Sequence, residues 1–316
     1  MLARVMAIAL NTYRESVRAR ILLGLAGVAF AVALYSRIVG AFTLHQAPRV
    51  ISDLGSASMS IFAVAVAILV SATSLHRELE QKTLFPILAR PIERGEFLVG
   101  KYLGTLLTVA VFVLADGGLV LLLASGASSE ISLAAIARLG AAVFVLVAAL
   151  VAVVWRAPIA AARTYGTIPW AVIVAIVGAV LAGGAPDERR VILGAALLTI
   201  AEVAIVAAVA TVFASFSTPF LSALFTLGVW LVGRNADTLA HMPSRFVGRF
   251  GQSFFAAVAL VWPNLQVYVP PRTLLTGEAP GVDVGTYLAL ALVKAACWSV
   301  LMLAVASLVF RRRDFL

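Results

Sequence analysis

The sequence predicts an all-α fold, a bundle of helices that crosses a membrane about eight times. Hydrophobic residues make up 62% of the 316-residue chain and charged residues only 12%, whereas soluble domains are about 45–50% apolar and about 25% charged. The mean hydropathy is +1.05, and apolar stretches long enough to cross a bilayer recur along the chain. This composition excludes a soluble enzyme, a disordered chain and a nucleic-acid-binding domain.

Eight apolar stretches have, or nearly have, the length that a membrane span requires. A spanning helix needs about 20 mostly apolar residues, and each stretch is expected to be helical because backbone polar groups find no partner in lipid. The first span is expected to be retained, since the cleavage-like Ala31-Val32-Ala33 lies inside the apolar run. The predicted spans are 21–43, 54–75, 102–124, 136–155, 167–183, 191–214, 217–233 and 286–310.

The positions of Lys and Arg predict that both termini are cytoplasmic. Short cytoplasmic segments of membrane proteins are enriched in these residues. With the N-terminus inside, fourteen of them fall in inside segments and five in short outside segments. We therefore expect a multi-pass protein of the cell membrane, the cytoplasmic membrane of a bacterium, with residues 234–285 as an extracytoplasmic segment.

Residues 1–20 have the pattern of an amphipathic helix. Such a helix lies in the membrane interface, with its basic side toward the lipid headgroups. The alternative is a positively charged flank that only orients the first span. The apolar side consists of Leu2, Met6, Ala9, Tyr13 and Val17, and the polar side of Arg4, Asn11, Arg14, Glu15 and Arg18.

The stretch 76–104, between the second and third spans, is densely charged and yet contains the apolar run 83–88. Pro91 suits the first turn of a helix and disfavours helix in the residue before it, so a second helical piece is predicted to start there. An exposed apolar run flanked by charges of both signs is typical of a docking surface for a soluble partner. The alternative is a solvated loop with one buried anchor.

The motifs of this stretch resemble the first cytoplasmic loop of type-2 ATP-binding-cassette (ABC) exporter permeases. They are Glu78-x-Glu80-x-Lys82-Thr83, then Leu88-Ala89-Arg90-Pro91-Ile92-Glu93-Arg94-x-Glu96-Phe97, then Gly100-Lys101. The amphipathic start resembles the elbow helix of that family. Pro263-Asn264-Leu265 and the ending Phe310-Arg311-Arg312-Arg313-Asp314-Phe315 are similar to further family motifs. The resemblance covers 1–125 and 191–316.

This resemblance implies the permease subunit of an ABC transporter, and an exporter. It implies a homodimer, or a pair with a sister permease, bound to two copies of a separately encoded ATPase that binds ATP and Mg. The loop at 76–101 would be the coupling loop, whose short helix seats in a groove of the ATPase. The resemblance assigns to this contact Glu78, Glu80, Lys82, Thr83, Arg90, Pro91, Glu93 and Arg94.

One departure from the family concerns the number of spans. The family usually has six, and removing residues 130–186 as an inserted helical hairpin leaves six with the same topology. The domains are therefore an elbow helix, 1–20, and a permease domain, 21–316. Within the extracytoplasmic segment, the apolar run 254–262 is too short to cross. It is predicted either to be a re-entrant or interfacial helix that caps the translocation path or to be a lid without a special role.

Three ionisable residues, Asp116, Glu202 and Lys294, fall well inside apolar stretches. Each costs roughly 2.5–3.5 kcal/mol near the bilayer centre, so each should face protein or water. They could form a proton relay or contact a substrate, as in an ion-coupled secondary transporter, although no inverted repeat is visible. Alternatively, Lys294 forms a structural pair with Asp116 or Glu202, or the charged side chains snorkel toward an interface. The small residues of Gly100-xxx-Gly104 and Ser56-xxx-Ser60 are predicted to serve helix packing.

The motifs of common enzymes are missing. The chain has no Gly-x-x-x-x-Gly-Lys-[Ser/Thr] phosphate loop, and His76-Arg77-Glu78 is not a zinc-protease motif. We therefore expect no catalytic residue, no metal site and no cofactor in this chain, and an intramembrane enzyme is the weaker alternative. The lone Cys297 excludes an intrachain disulfide.

Overall fold

The computed structural model describes residues 2–43, 46–80, 94–128, 164–240 and 263–311, together with single positions between 141 and 152. These ranges are α-helical with short 3-10 turns and contain no strand, which confirms the predicted fold class. Ten α-helices are described in these ranges. They are α1 (Leu2–Arg18), α2 (Arg20–Ala41), α3 (Ala47–Glu80), α4 (Arg94–Ser128), α5 (Thr167–Leu181), α6 (Pro186–Ala214), α7 (Pro219–Arg234), α8 (Ala236–Ala240), α9 (Arg272–Thr276) and α10 (Val284–Arg311).

Six of the described helices, α2 to α6 and α10, are long and apolar enough to cross a membrane, and they confirm six of the eight predicted spans. Helix α7, at the predicted span 217–233, has only 16 residues. Its length of about 24 Å is less than the roughly 30 Å hydrocarbon core, so α7 does not cross on its own. The predicted span 136–155 lies outside the described residues, apart from single positions.

Helices α3, α4 and α6 form the centre of the bundle. In their most apolar stretches, 61%, 67% and 67% of the residues are buried, compared with 17% in α2, 22% in α5 and 17% in α10. Their shared core includes Met59, Val109 and Leu198, all at most 1% exposed. The outer helices therefore present most of their apolar surface to lipid or to another protein.

The two ends of the bundle are chemically different, and we call them the base and the top. At the base, α3 and α6 end and α4 begins, and Phe97, Ala214 and Phe310 pack together there with Ile8 of the elbow helix α1. At the top, α3 and α6 begin, and the segment 263–276 packs there. The 34 residues of α3 and the 35 of α4 each extend about 50 Å. Both helices are thus longer than the bilayer core is thick.

The elbow helix packs on α4 at two glycines. A Cβ atom on Gly100 would lie 2.7 Å from Ile8 Cβ, and one on Gly104 would lie 2.5 Å from the carbonyl oxygen of Ala9. This confirms the predicted packing role of Gly100 and Gly104. The elbow side chains buried against the protein are Val5, Ala9, Thr12, Tyr13 and Ser16.

The buried face of the elbow helix differs from the apolar side that the sequence predicts. Of that side, Ala9 and Tyr13 are buried, but Leu2 is 86% and Met6 57% exposed. The side chains next to the glycines of α4 are those of Ile8 and Thr12, so the buried face is rotated away from Leu2 and Met6. The helix therefore has one face for the protein and a second apolar face available to lipid, as an interfacial helix requires.

Candidate functional site

The predicted coupling loop begins where α3 ends at Glu80 and ends where α4 begins at Arg94. The structure describes the backbone of Glu78 and Glu80, at the end of α3, and of Arg94, the first residue of α4. The remaining predicted contact residues, Lys82, Thr83, Arg90, Pro91 and Glu93, lie outside the described residues. The assignment of all eight to an ATPase contact stays a prediction.

The side chain of Lys101 links the start of α4 to α1 and α3. Its side chain is 6% exposed, and its Nζ lies 3.7 Å from Glu15 Oε2 of α1. The same Nζ donates a 3.4 Å hydrogen bond to the carbonyl oxygen of Ser74 in α3 and lies 5.8 Å from the centre of the Phe97 ring. From the sequence, Lys101 was recognised only as part of the Gly100-Lys101 motif. Its burial could not be predicted, and a buried lysine requires several partners of this kind.

Further contacts tie the elbow helix to α4 and α5. Arg4 Nη2 donates a 3.3 Å hydrogen bond to Oε1 of Glu96, a residue that is 5% exposed. The hydroxyls of Tyr13 and Thr167 are hydrogen-bonded at 2.6 Å, and burial raises the pKa of Tyr13. The base is therefore a packed unit that holds α1, α3, α4 and α5 in fixed relation at the two edges of the predicted coupling loop.

Glu202, in the middle of α6, is surrounded by donors. Its side chain is 0% exposed, and Arg234 Nη1 donates to its two oxygens at 3.0 and 3.3 Å. It also accepts hydrogen bonds from Trp230 Nε1 at 2.8 Å and from Ser60 Oγ at 3.2 Å. The predicted pairing of Glu202 with Lys294 is therefore wrong, because the short α7 ends inside the bundle and brings Arg234 to the carboxylate.

Asp116 and Lys294 do not form the predicted pair either. Asp116 is 0% exposed, and neither of its carboxylate oxygens has a hydrogen-bond partner among the described residues. Lys294 is exposed on the outer side of α10. No ion pair or hydrogen bond between described residues joins any two of Asp116, Glu202 and Lys294, so the geometry of a relay between them is absent from the described part.

Arg272 fixes the segment 263–276 to the top of the bundle. Its Nη1 donates to Ser52 Oγ at 2.9 Å and to Asp53 Oδ1 at 2.8 Å, and its Nη2 pairs with Glu188. Partial burial opposes the charge, but the hydrogen bonds and charges of Glu188 and Asp53 outweigh it and raise the pKa of Arg272. One arginine thus joins α9 to the second turn of α3 and to the first turn of α6.

The same segment also packs into the bundle beside the Glu202 cluster. Leu265, 1% exposed, donates its backbone N–H to the carbonyl oxygen of Gly233 at 2.9 Å. The Tyr268 hydroxyl donates to the carbonyl oxygen of Ala291 at 3.2 Å. Burial, with the charge of Glu202 next in size, raises the pKa of Tyr268 to about 12. The predicted apolar run 254–262 lies outside the described residues.

A cavity of about 170 Å³ lies between α3, α6 and the segment 268–275; we call it the top cavity. Its polar lining runs from the Arg272 contacts at the top to the Glu202 cluster inside the bundle. The side chains that contribute it include Asp53, Ser56, Ser60, Thr199, Arg234 and Arg272. The predicted Ser56-xxx-Ser60 pair thus lines a cavity that is otherwise largely apolar. The signal that sequence reasoning missed was an arginine, Arg234, at the end of an apolar helix.

Residues 6–162 match the family described as ABC-2 family transporter protein. The chain belongs to the ABC-2 transporter family. The matched residues of this ABC-2 protein take in most of the elbow helix, α2, α3, the predicted coupling loop and α4, and extend into the predicted insertion 130–186. Residues 191–316 lie beyond the match, and no curated protein matches the chain.

Family membership gives the fold a general function. The chain is a multi-pass membrane permease subunit of an ABC transporter, which is normally the non-catalytic membrane component, and an ABC ATPase is its general kind of partner. The base described above is the part of the molecule that flanks the motif-bearing loop.

Proposed function

We propose that the chain is the permease of an ABC exporter, driven by an ATPase that docks on the coupling loop 76–101. Two permeases, identical or sister chains, would form the translocation path, and two ATPase subunits would bind ATP and Mg. In this proposal both termini and the base are cytoplasmic, the top is extracytoplasmic, and the membrane is the bacterial cytoplasmic membrane. The observation that carries it is the family match across the elbow helix, α3, the coupling loop and α4.

The construction of the base supports transmission of force from the coupling loop. Helices α3 and α4 extend beyond bilayer thickness, and Lys101 joins both to α1 by its contacts with Ser74 and Glu15. Packed helices move as bodies rather than bending locally. A displacement of the coupling loop by the closing ATPases would therefore move α1, α3 and α4 together and shift the path between the two permeases.

The rival function, an ion-coupled secondary transporter, would require its intramembrane charged side chains to lie in contact with one another. Glu202 is instead neutralised by Arg234 at 3.0 Å, and Lys294 is exposed on the outer side of α10. The described geometry favours the ATPase-driven permease and does not support an intramembrane enzyme.

The proposal is tested by co-purifying the chain with its ATPase and measuring permease-stimulated ATP hydrolysis. We expect Glu78→Ala combined with Arg94→Ala to weaken both, since these residues belong to the proposed contact and lie at its two ends. The matched control combines Asp187→Ala with Arg190→Ala, an ion pair at the top with a separation of 3.8 Å and side chains 59% and 62% exposed. It removes the same kinds of charge at the other end of the bundle and should change neither measurement.

Membrane insertion of each variant is checked by protease protection in vesicles. If the loop variant inserts normally yet binds and stimulates the ATPase as the wild type does, the docking assignment is wrong. If purified wild-type chain transports without any ATPase, the permease function itself is wrong.

A further inference from the structure

A groove on the outside of the bundle combines an apolar floor with arginines at one end. It has a volume of about 500 Å³ and lies between α5 and α6, near the top; we call it the outer groove. The side chains of Ile176, Val180 and Leu193 in its floor are exposed, and both helices are apolar enough to cross a membrane. The floor therefore faces the acyl chains of the bilayer. The residues that line the groove are Ile176, Ala179, Val180, Arg189, Arg190 and Leu193.

Arg189 lies at the depth of the lipid headgroups. It precedes the predicted span 191–214 by two residues and precedes Leu193 by four residues, about 6 Å along the helix axis. Arginines near the ends of spanning helices hold the guanidinium in the membrane interface. The groove thus has a cation at headgroup level and an apolar surface directly below it, and these are the two parts that a phospholipid requires.

Arg189 also differs from the other half-buried arginines of the described residues. Arg37, Arg234 and Arg272 each have a hydrogen bond or an ion pair, whereas the side chain of Arg189 has neither within the described ranges. Its Nη1 would lie 4.0 Å from a Cβ on Gly183, so the guanidinium extends beside the turn between α5 and α6. A partly buried guanidinium without an acceptor is unfavourable. An acceptor from outside the chain is therefore expected.

Helix stability and the neighbouring acids do not account for Arg189. The residue is in the first turn of α6, where the helix dipole disfavours a cation. Of the two acids before it, Asp187 lies 3.8 Å from Arg190, and Glu188 pairs with Arg272. The positive charge of Arg189 is therefore the one in this groove that no described carboxylate compensates.

We propose that the outer groove binds an anionic phospholipid from the leaflet at the top of the bundle. The Arg189 guanidinium donates to the phosphate oxygens, whose geometry it matches in a bidentate manner. The first part of an acyl chain packs on the apolar floor. A phosphate at this position supplies the missing acceptor, and the floor favours a phosphate that is attached to acyl chains over a free one. This binding requires no ATPase, so its failure would leave the proposed coupling mechanism unaffected.

The test is native mass spectrometry of the purified full-length chain, titrated in detergent with phosphatidylglycerol and, separately, with phosphatidylcholine. The quantity compared is the apparent dissociation constant of the most tightly bound lipid. We expect phosphatidylglycerol to bind more tightly, and Arg189→Gln to weaken its binding about tenfold or more. Arg189→Lys keeps the charge but loses the fork, so its effect should be intermediate. Both variants should fold, because no contact with a described carboxylate is lost.

The matched control is Arg49→Gln. Arg49 is an exposed arginine at the top of the bundle, 3.9 Å from Asp53, and it does not line the outer groove. This variant removes the same charge at the same end of the protein and should bind phosphatidylglycerol as the wild type does. The proposal is overturned if the wild type binds phosphatidylglycerol no more tightly than phosphatidylcholine, or if Arg189→Gln and Arg49→Gln bind it alike.

Discussion

Two carboxylates, Glu202 and Asp116, are both 0% exposed in the interior of the bundle, yet their surroundings are opposite. Glu202 accepts hydrogen bonds from Arg234, Trp230 and Ser60. Asp116 accepts none from the described residues. Burial alone therefore does not determine how this membrane protein accommodates an acid.

The difference originates in where the neighbouring helices end. Helix α7 ends at Arg234, whose side chain reaches a carboxylate in the middle of α6. Asp116 receives no such donor from the described residues. Two residues further along, on another side of α4, Gly118 crosses α5 so closely that a Cβ there would lie 2.8 Å from the backbone nitrogen of Ala175. The comparison predicts that substitution of Glu202 costs far more stability than substitution of Asp116.

The largest effect is expected from Glu202→Ala. It leaves Arg234 without its counter-charge, and breaking a buried pair on one side costs about 3–5 kcal/mol. The free energy of unfolding is measured by titration with denaturing detergent in mixed micelles. The double variant Glu202→Ala with Arg234→Leu removes both charges and should recover much of the loss. Equal stability of the single and double variants would show that the ion pair contributes nothing.

The close crossing of α4 and α5 is probed by Gly118→Ala. The added Cβ would meet the backbone of Ala175, which cannot move aside easily, so a loss of about 1–3 kcal/mol is expected. The matched control is Gly117→Ala, whose Cβ would lie 3.2 Å from Met59 Sδ, the flexible end of a side chain. The same unfolding titration compares the two variants. The predicted close crossing is contradicted if the two alanines cost the same.

A smaller effect is expected from Asp116→Asn. No hydrogen bond with a described residue is lost, so the free energy of unfolding should change by less than about 1 kcal/mol, and transport should persist. The Glu202→Gln variant provides the contrast, because it removes the charge that faces Arg234. If Asp116→Asn abolished transport while the protein remained folded, the ion-coupled alternative would gain the support that it now lacks.

The smallest effect is expected from Lys294→Ala. The side chain is exposed on α10, and surface substitutions usually change stability by less than about 0.5 kcal/mol. Thermal unfolding in detergent is sufficient to measure this. A loss comparable to that of Glu202→Ala would mean that Lys294 has a buried partner in the assembled transporter.

The sequence predicted the helices better than their contacts. Apolar length located α2 to α6 and α10, amphipathic spacing located α1, and Gly100-xxx-Gly104 indicated the packing surface that α1 uses. Hydropathy could not show that α7 ends inside the bundle, and this hid the pairing of Arg234 with Glu202. Which acid meets which cation depends on the rotation and depth of each helix, and these are set by packing between distant segments. The eight coupling residues stay predictions, based on motif order.

Several hydrogen bonds between described residues connect the stretch that matches the ABC-2 family to the chain beyond it, three of which come from hydroxyl groups spread along the bundle. Tyr13 bonds with Thr167, Ser52 with Glu188 and Ser60 with Glu202, so each joins a residue before position 162 to one beyond it. A fragment ending at 162 would leave the hydroxyls of its half without these partners. Exchanging one half between related proteins is therefore expected to preserve stability only where the partners of these hydrogen bonds are exchanged together.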